Sequence, residues 1–70
     1  MMRVVFFDKM RETRRAVDNV VQIENVCVRI NGRLTSVWHL LKTDGKMEAF
    51  KQKDYDILRV EIETEGYLNI

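Results

Sequence analysis

The sequence predicts an all-β protein, a small antiparallel meander of five or six strands that forms an SH3-like barrel or a curled sheet. Three observations carry this. Proline is absent, and two of the three glycines complete Asn31-Gly32 and Asp44-Gly45, the pairs that best suit the positive φ angles of a type I′ hairpin turn. The runs around those pairs are rich in β-branched and aromatic residues that alternate with polar ones. Finally, no segment carries the apolar stripe of an amphipathic helix.

Taken in order, residues 3–7 are apolar and β-prone and give the first strand. Residues 8–17 are the one stretch with helical character. There Asp8 is a possible N-cap, but Met10, Ala16 and Val17 make a poor stripe, and the reading is a loop with one turn. Residues 20–23 read as a short strand or as the first half of a long bent strand that runs into 26–30. The firmest expectation is a meander of strands at 26–30, 34–41 and 46–51, joined by the two glycine turns. Gln52-Lys53-Asp54-Tyr55-Asp56 reads as a turn, and 57–62 alternates as a last strand. Alternation then predicts a core of Val5, Phe7, Val26, Val28, Ile30, Leu34, Trp38, Leu40, Phe50, Leu58, Val60 and Ile62.

Seventy residues and 8.4 kDa make a single small domain, 1–70, that buries only about 60% of the surface its unfolded chain exposes. Disulfides, metals or partner subunits usually support chains of this size. One cysteine excludes an intramolecular disulfide, and one histidine with one cysteine cannot close a zinc site. No apolar run reaches the length of a membrane span, and the start lacks a signal-peptide pattern. No cofactor, metal or membrane is therefore expected.

Charge is balanced overall at +1 but unevenly placed. Residues 1–15 carry Arg3, Lys9, Arg11, Arg14 and Arg15 against Asp8 and Glu12. Residues 54–70 carry Asp54, Asp56, Glu61, Glu63 and Glu65 against Arg59. A solvated loop and the outer face of a strand account for both stretches. The functional alternative is a dipolar surface in which Lys9, Arg11, Arg14 and Arg15 dock on an acidic partner, a host protein or a second copy of the chain.

Chemistry finds little purchase. Ser36 and His39 fall on opposite faces of a strand and cannot form a nucleophile–base pair, so His39 is read as a half-exposed strand residue. Cys27 is read as a small buried thiol. The acidic residues near the end lack the Asp-x-Asp-x-Asp-Gly loop of a calcium site. No phosphate loop or nucleophilic triad occurs, and the chain is expected not to be an enzyme.

Single-stranded nucleic-acid binding is the alternative function, since small β-barrels serve it with a basic groove and exposed aromatic platforms. It requires Arg11, Arg14, Arg15, Arg29 and Arg33 to converge beside an exposed aromatic. Trp38 shares a face with Leu34 and Leu40 and is assigned to the core. A pI of 7.9 is also low for that role.

One resemblance spans about half the chain. Asn25-Val26, the turn residues Lys42, Asp44 and Gly45, Phe50 closing an aromatic strand, and Asp54, Tyr55 and Ile57 resemble the small uncharacterised all-β proteins of Gram-positive bacteria and their phages. The resemblance implies no chemistry. It implies a cytoplasmic accessory protein, encoded by a phage or mobile element, that binds and blocks one host protein in the manner of anti-defence inhibitors. The sequence-level reading of function is thus a non-enzymatic protein-binding module.

Overall fold

A computed structural model of the chain describes residues 1–62. It is all-β, with six antiparallel strands in chain order: β1 (Met2–Asp8), β2 (Thr13–Val20), β3 (Gln22–Ile30), β4 (Arg33–Thr43), β5 (Lys46–Lys51) and β6 (Tyr55–Ile62). They form two three-stranded sheets, ordered β2-β1-β6 and β3-β4-β5. The expected meander is present as β3-β4-β5, while β6 returns to the far side of β1. Among the described residues the two sheets do not close into a barrel.

The first turn forms as predicted, with Asn31 at φ 52° and Gly32 at φ 78°. At the second turn only Gly45 is left-handed, at φ 79°, so the type I′ expectation holds for one turn of the two. Both are two-residue connections, pairing Ile30 with Arg33 and Thr43 with Lys46.

Residues 8–17 do not form the expected loop. After a turn at 9–12, β2 pairs with β1 along its length, from Asp8–Thr13 to Met2–Val20. The β2 sequence is polar because only Val17 and Val20 are buried, and the rest of the strand faces solvent. That low apolar content hides a strand that hydrogen bonds hold. Asp8 organises the turn: its carboxylate, 3% exposed as a residue, accepts the Met10 and Arg11 backbone N–H groups at 3.0 and 3.2 Å. The strand containing 26–30 starts at Gln22, with Val21 alone between it and the end of β2. At that junction Asn19 takes φ 60°, and the Val21 N–H bonds the Lys42 carbonyl at 2.8 Å.

The core lies where the sheets overlap. Val4, Phe6, Val17 and Val20 of one sheet meet Leu41 and Phe50 of the other, with Tyr55 and Ile57 packed alongside. Phe6 stacks on Phe50 at 4.4 Å between ring centroids, and Tyr55 meets Phe50 edge-on at 5.1 Å. Two of the twelve predicted core residues, Val5 and Phe50, are buried. Phe7, Trp38 and Leu40 are half-buried, and Val26, Val28, Ile30, Leu34, Leu58, Val60 and Ile62 are exposed. The cause in β1 and β4 is a one-residue face exchange, because both strands are apolar on both sides and alternation could not choose between them.

Beyond the overlap, β3 and β4 continue alone. β5 pairs with β4 only from Trp38 to Thr43, so residues 27–37 form a two-stranded ribbon whose residues are exposed up to Thr35.

Candidate partner-binding face

Side chains two apart on a strand share a face, and directly paired residues share it across an antiparallel ladder. The pairs Val28–Ser36, Val26–Trp38 and Glu24–Leu40 across β3–β4 belong to one face. The pairs Trp38–Lys51, Leu40–Ala49 and Lys42–Met47 continue it onto β5. The opposite face carries His39, Leu41 and Phe50, and it meets the other sheet. The open face therefore presents an apolar row of Val28, Val26, Trp38, Leu40 and Met47. Val26 is 37% exposed, Val28 38% and Met47 60%.

Local contacts hold this row in place. The Trp38 indole N–H donates to the Ser36 hydroxyl at 3.1 Å, and the Lys51 ammonium sits 5.9 Å from the indole centroid. That is a cation–π arrangement on a half-exposed ring. Beside it, a small shallow pocket is lined by Gln22, Glu24, Leu40, Lys42 and Met47. A second apolar group, Leu58, Val60 and Ile62, is exposed on β6, where β1 is the only paired neighbour among the described residues.

The four basic residues expected to dock on a partner do not form one patch. Lys9 pairs with Asp56 at 2.9 Å, Arg11 with Asp8 at 3.2 Å, and Arg15 with Glu48 at 3.5 Å. Arg15 also lies 5.2 Å over the Phe50 ring, while Arg14 is exposed on the opposite face of β2, across from Phe7. Arg29 and Arg33 sit at the far end of the ribbon. Of the acidic stretch, Glu63 and Glu65 lie outside the described residues, and Glu61 pairs with Arg59 at 3.1 Å.

Two single residues differ from their expected settings. His39 is buried, at 8% exposure, with its ring 6.4 Å from Phe6. Burial lowers its pKa from the usual value, against a smaller upward pull from the Asp56 carboxylate. Cys27 is exposed on the ribbon, because β3 leaves the core before reaching it. Among the described residues no three His, Cys, Asp or Glu side chains cluster to hold a metal ion, and no helix is long and apolar enough to cross a membrane.

Sequence reasoning named Val26, Val28, Trp38 and Leu40 but placed them inside; it missed Met47 altogether. The signal was present in the second hairpin. A two-residue loop at Asp44-Gly45 pairs Phe50 with His39, so a buried Phe50 turns His39 inward and Trp38 outward. Comparison with known proteins adds nothing to this geometry: no family model, curated protein or solved structure matches the chain.

Proposed function

We propose that this chain is a non-enzymatic protein-binding module, a modulator that acts by covering a surface of one host or phage protein. The observation that carries the reading is the exposed row of Val28, Val26, Trp38, Leu40 and Met47 on the open face of β3-β4-β5. A half-exposed tryptophan flanked by aliphatic side chains has the composition of an interface centre. Glu24, Lys42 and Lys51 supply a charged rim. Lys9, Arg11, Arg14 and Arg15 on the β1–β2 hairpin then steer approach toward an acidic surface, Lys9, Arg11 and Arg15 each also holding a carboxylate of this chain. The strand path also supports a finer fold reading, an opened SH3-like arrangement in which β2 and β3 act as one bent strand interrupted at Val21.

Affinity capture from the cells in which the protein acts, with and without nuclease, tests the function. One protein retained after nuclease, and lost with Trp38→Ala while the fold is kept, is the expected result. Capture that vanishes with nuclease, together with oligonucleotide binding that weakens steeply between about 50 and 200 mM salt, establishes the nucleic-acid alternative instead.

A further inference from the structure

We infer that the free edge of β3 pairs antiparallel with β3 of a second copy, joining two three-stranded sheets into one of six strands about a two-fold axis. This deepens the protein-binding reading, on which it rests, by naming one partner.

The four sheet edges differ in how well they resist added strands. Natural edges are protected by charge, shortness or bulges. β2 carries Arg14, Arg15 and Asp18, with a register irregularity against β1 between Met2 and Val4. β5 has six residues, including Lys46, Glu48 and Lys51. β6 carries Asp56, Arg59 and Glu61 and has its own register shift opposite Val5 and Phe6. β3 has nine residues, and its centre, Asn25-Val26-Cys27-Val28, holds no charge. Its register with β4 is regular until Val28. Every residue of β3 but the half-buried Ile23 is exposed. It is the unguarded edge among the described strands.

A second copy fits that edge through the pairing of its central side chains. Opposed residues must share a face, so the two-fold passes through a residue position. Centred on Cys27, the register sets Val26 against Val28 of the other copy twice over and Asn25 against Arg29 twice over. Apolar thereby meets apolar and polar meets polar through the central five residues, and the mismatch of Glu24 with Ile30 falls at the margins, three places from the axis. Centred on Val26, it would bring the mismatch inward, setting Glu24 against Val28 two places from the axis. Glu24 and Arg29 point to opposite faces of the joined sheet, so the contacts that match across the axis are the two Val26–Val28 pairs and the two Asn25–Arg29 pairs. Such a contact is isologous and closes at two copies. It gives the two-stranded ribbon the neighbour that an isolated hairpin needs for stability in water.

The test is sedimentation of the full chain over a concentration series, with mild thiol oxidation and amide exchange on the same samples. The expected result is a dimer of twice the 8.4 kDa chain mass that links through Cys27 on oxidation. The Cys27→Ser protein should remain dimeric, and Val26→Lys should be monomeric with unchanged circular dichroism. β3 amides that do not face β4 should gain protection as concentration rises, a readout that needs no variant. A wild-type monomer throughout the series overturns the inference, as does a dimer that neither links through Cys27 nor protects those amides. A monomer that still captures a protein through Trp38 overturns the dimer and supports the wider reading. A β3-paired dimer that captures nothing supports the dimer and overturns the wider reading.

Discussion

The Nδ1 of His39 and the Oδ1 of Asn25 lie 2.7 Å apart, joining two residues that are direct cross-strand neighbours in β3 and β4. An amide oxygen only accepts, so Nδ1 carries the proton and donates it. The imidazole is buried beside Phe6, and burial disfavours its charged form.

The pH dependence of stability follows in sign. The folded pKa of His39 is lowered, so on acidification the unfolded chain takes up this proton before the folded chain does. Stability is fully present above the unfolded value, about 6.5, and falls as pH drops through that value toward the folded one. Thermal midpoints recorded between about pH 8 and 5 should decline on the acid side, and His39→Gln should flatten that decline. An identical slope in the variant would assign the loss to the carboxylates.

Phe6→Ala should cost about 3–5 kcal/mol, because the ring is fully buried between the sheets and stacks on Phe50. Trp38→Ala, on the open face, should cost less than about 2 kcal/mol. Chemical denaturation of the two variants gives the order. A Trp38→Ala protein as damaged as Phe6→Ala would place the indole in the core.

Gly32→Val should destabilise by about 1–2 kcal/mol. A Cβ built at Gly32 meets nothing within 4 Å, so the cost comes from the backbone alone at φ 78°. Gly32→Asn should recover most of it, since asparagine tolerates this region. Equal losses for the two would mean that side-chain bulk, rather than φ, is the source.

Asp8→Ala should cost about 1–3 kcal/mol by leaving the Met10 and Arg11 N–H groups without their acceptor. Asp8→Asn keeps an acceptor oxygen and should lose less. Exchange of these two amides, read by NMR, separates a loosened turn from general unfolding.

Strand content and both tight turns were legible because asparagine, aspartate and glycine mark them locally. Which face was buried was not legible from alternation, since Val4-Val5-Phe6-Phe7 and Val37-Trp38-His39-Leu40-Leu41 are apolar on both sides. Counting outward from Asp44-Gly45 would have settled β4, but the first hairpin resists such counting. A register shift after Val28 pairs Val26 with Trp38, where an unbroken two-residue turn would pair it with Val37. β2 was unreadable for a different reason: its ladder with β1 rests on backbone bonds that no side-chain pattern announces. The candidate face was therefore visible residue by residue, with its orientation reversed.

Because β1 lies between β2 and β6, the sheet that opens the chain is completed by its sixth strand. The β3-β4-β5 sheet can assemble from neighbouring segments, whereas pairing Met2 with Ile62 closes a loop over nearly the whole described chain. Contacts so distant in sequence form slowly. The β3-β4-β5 sheet, with its apolar row, is thus expected to form before Phe6 acquires its full cover, so that during synthesis the proposed docking face precedes the core beneath it.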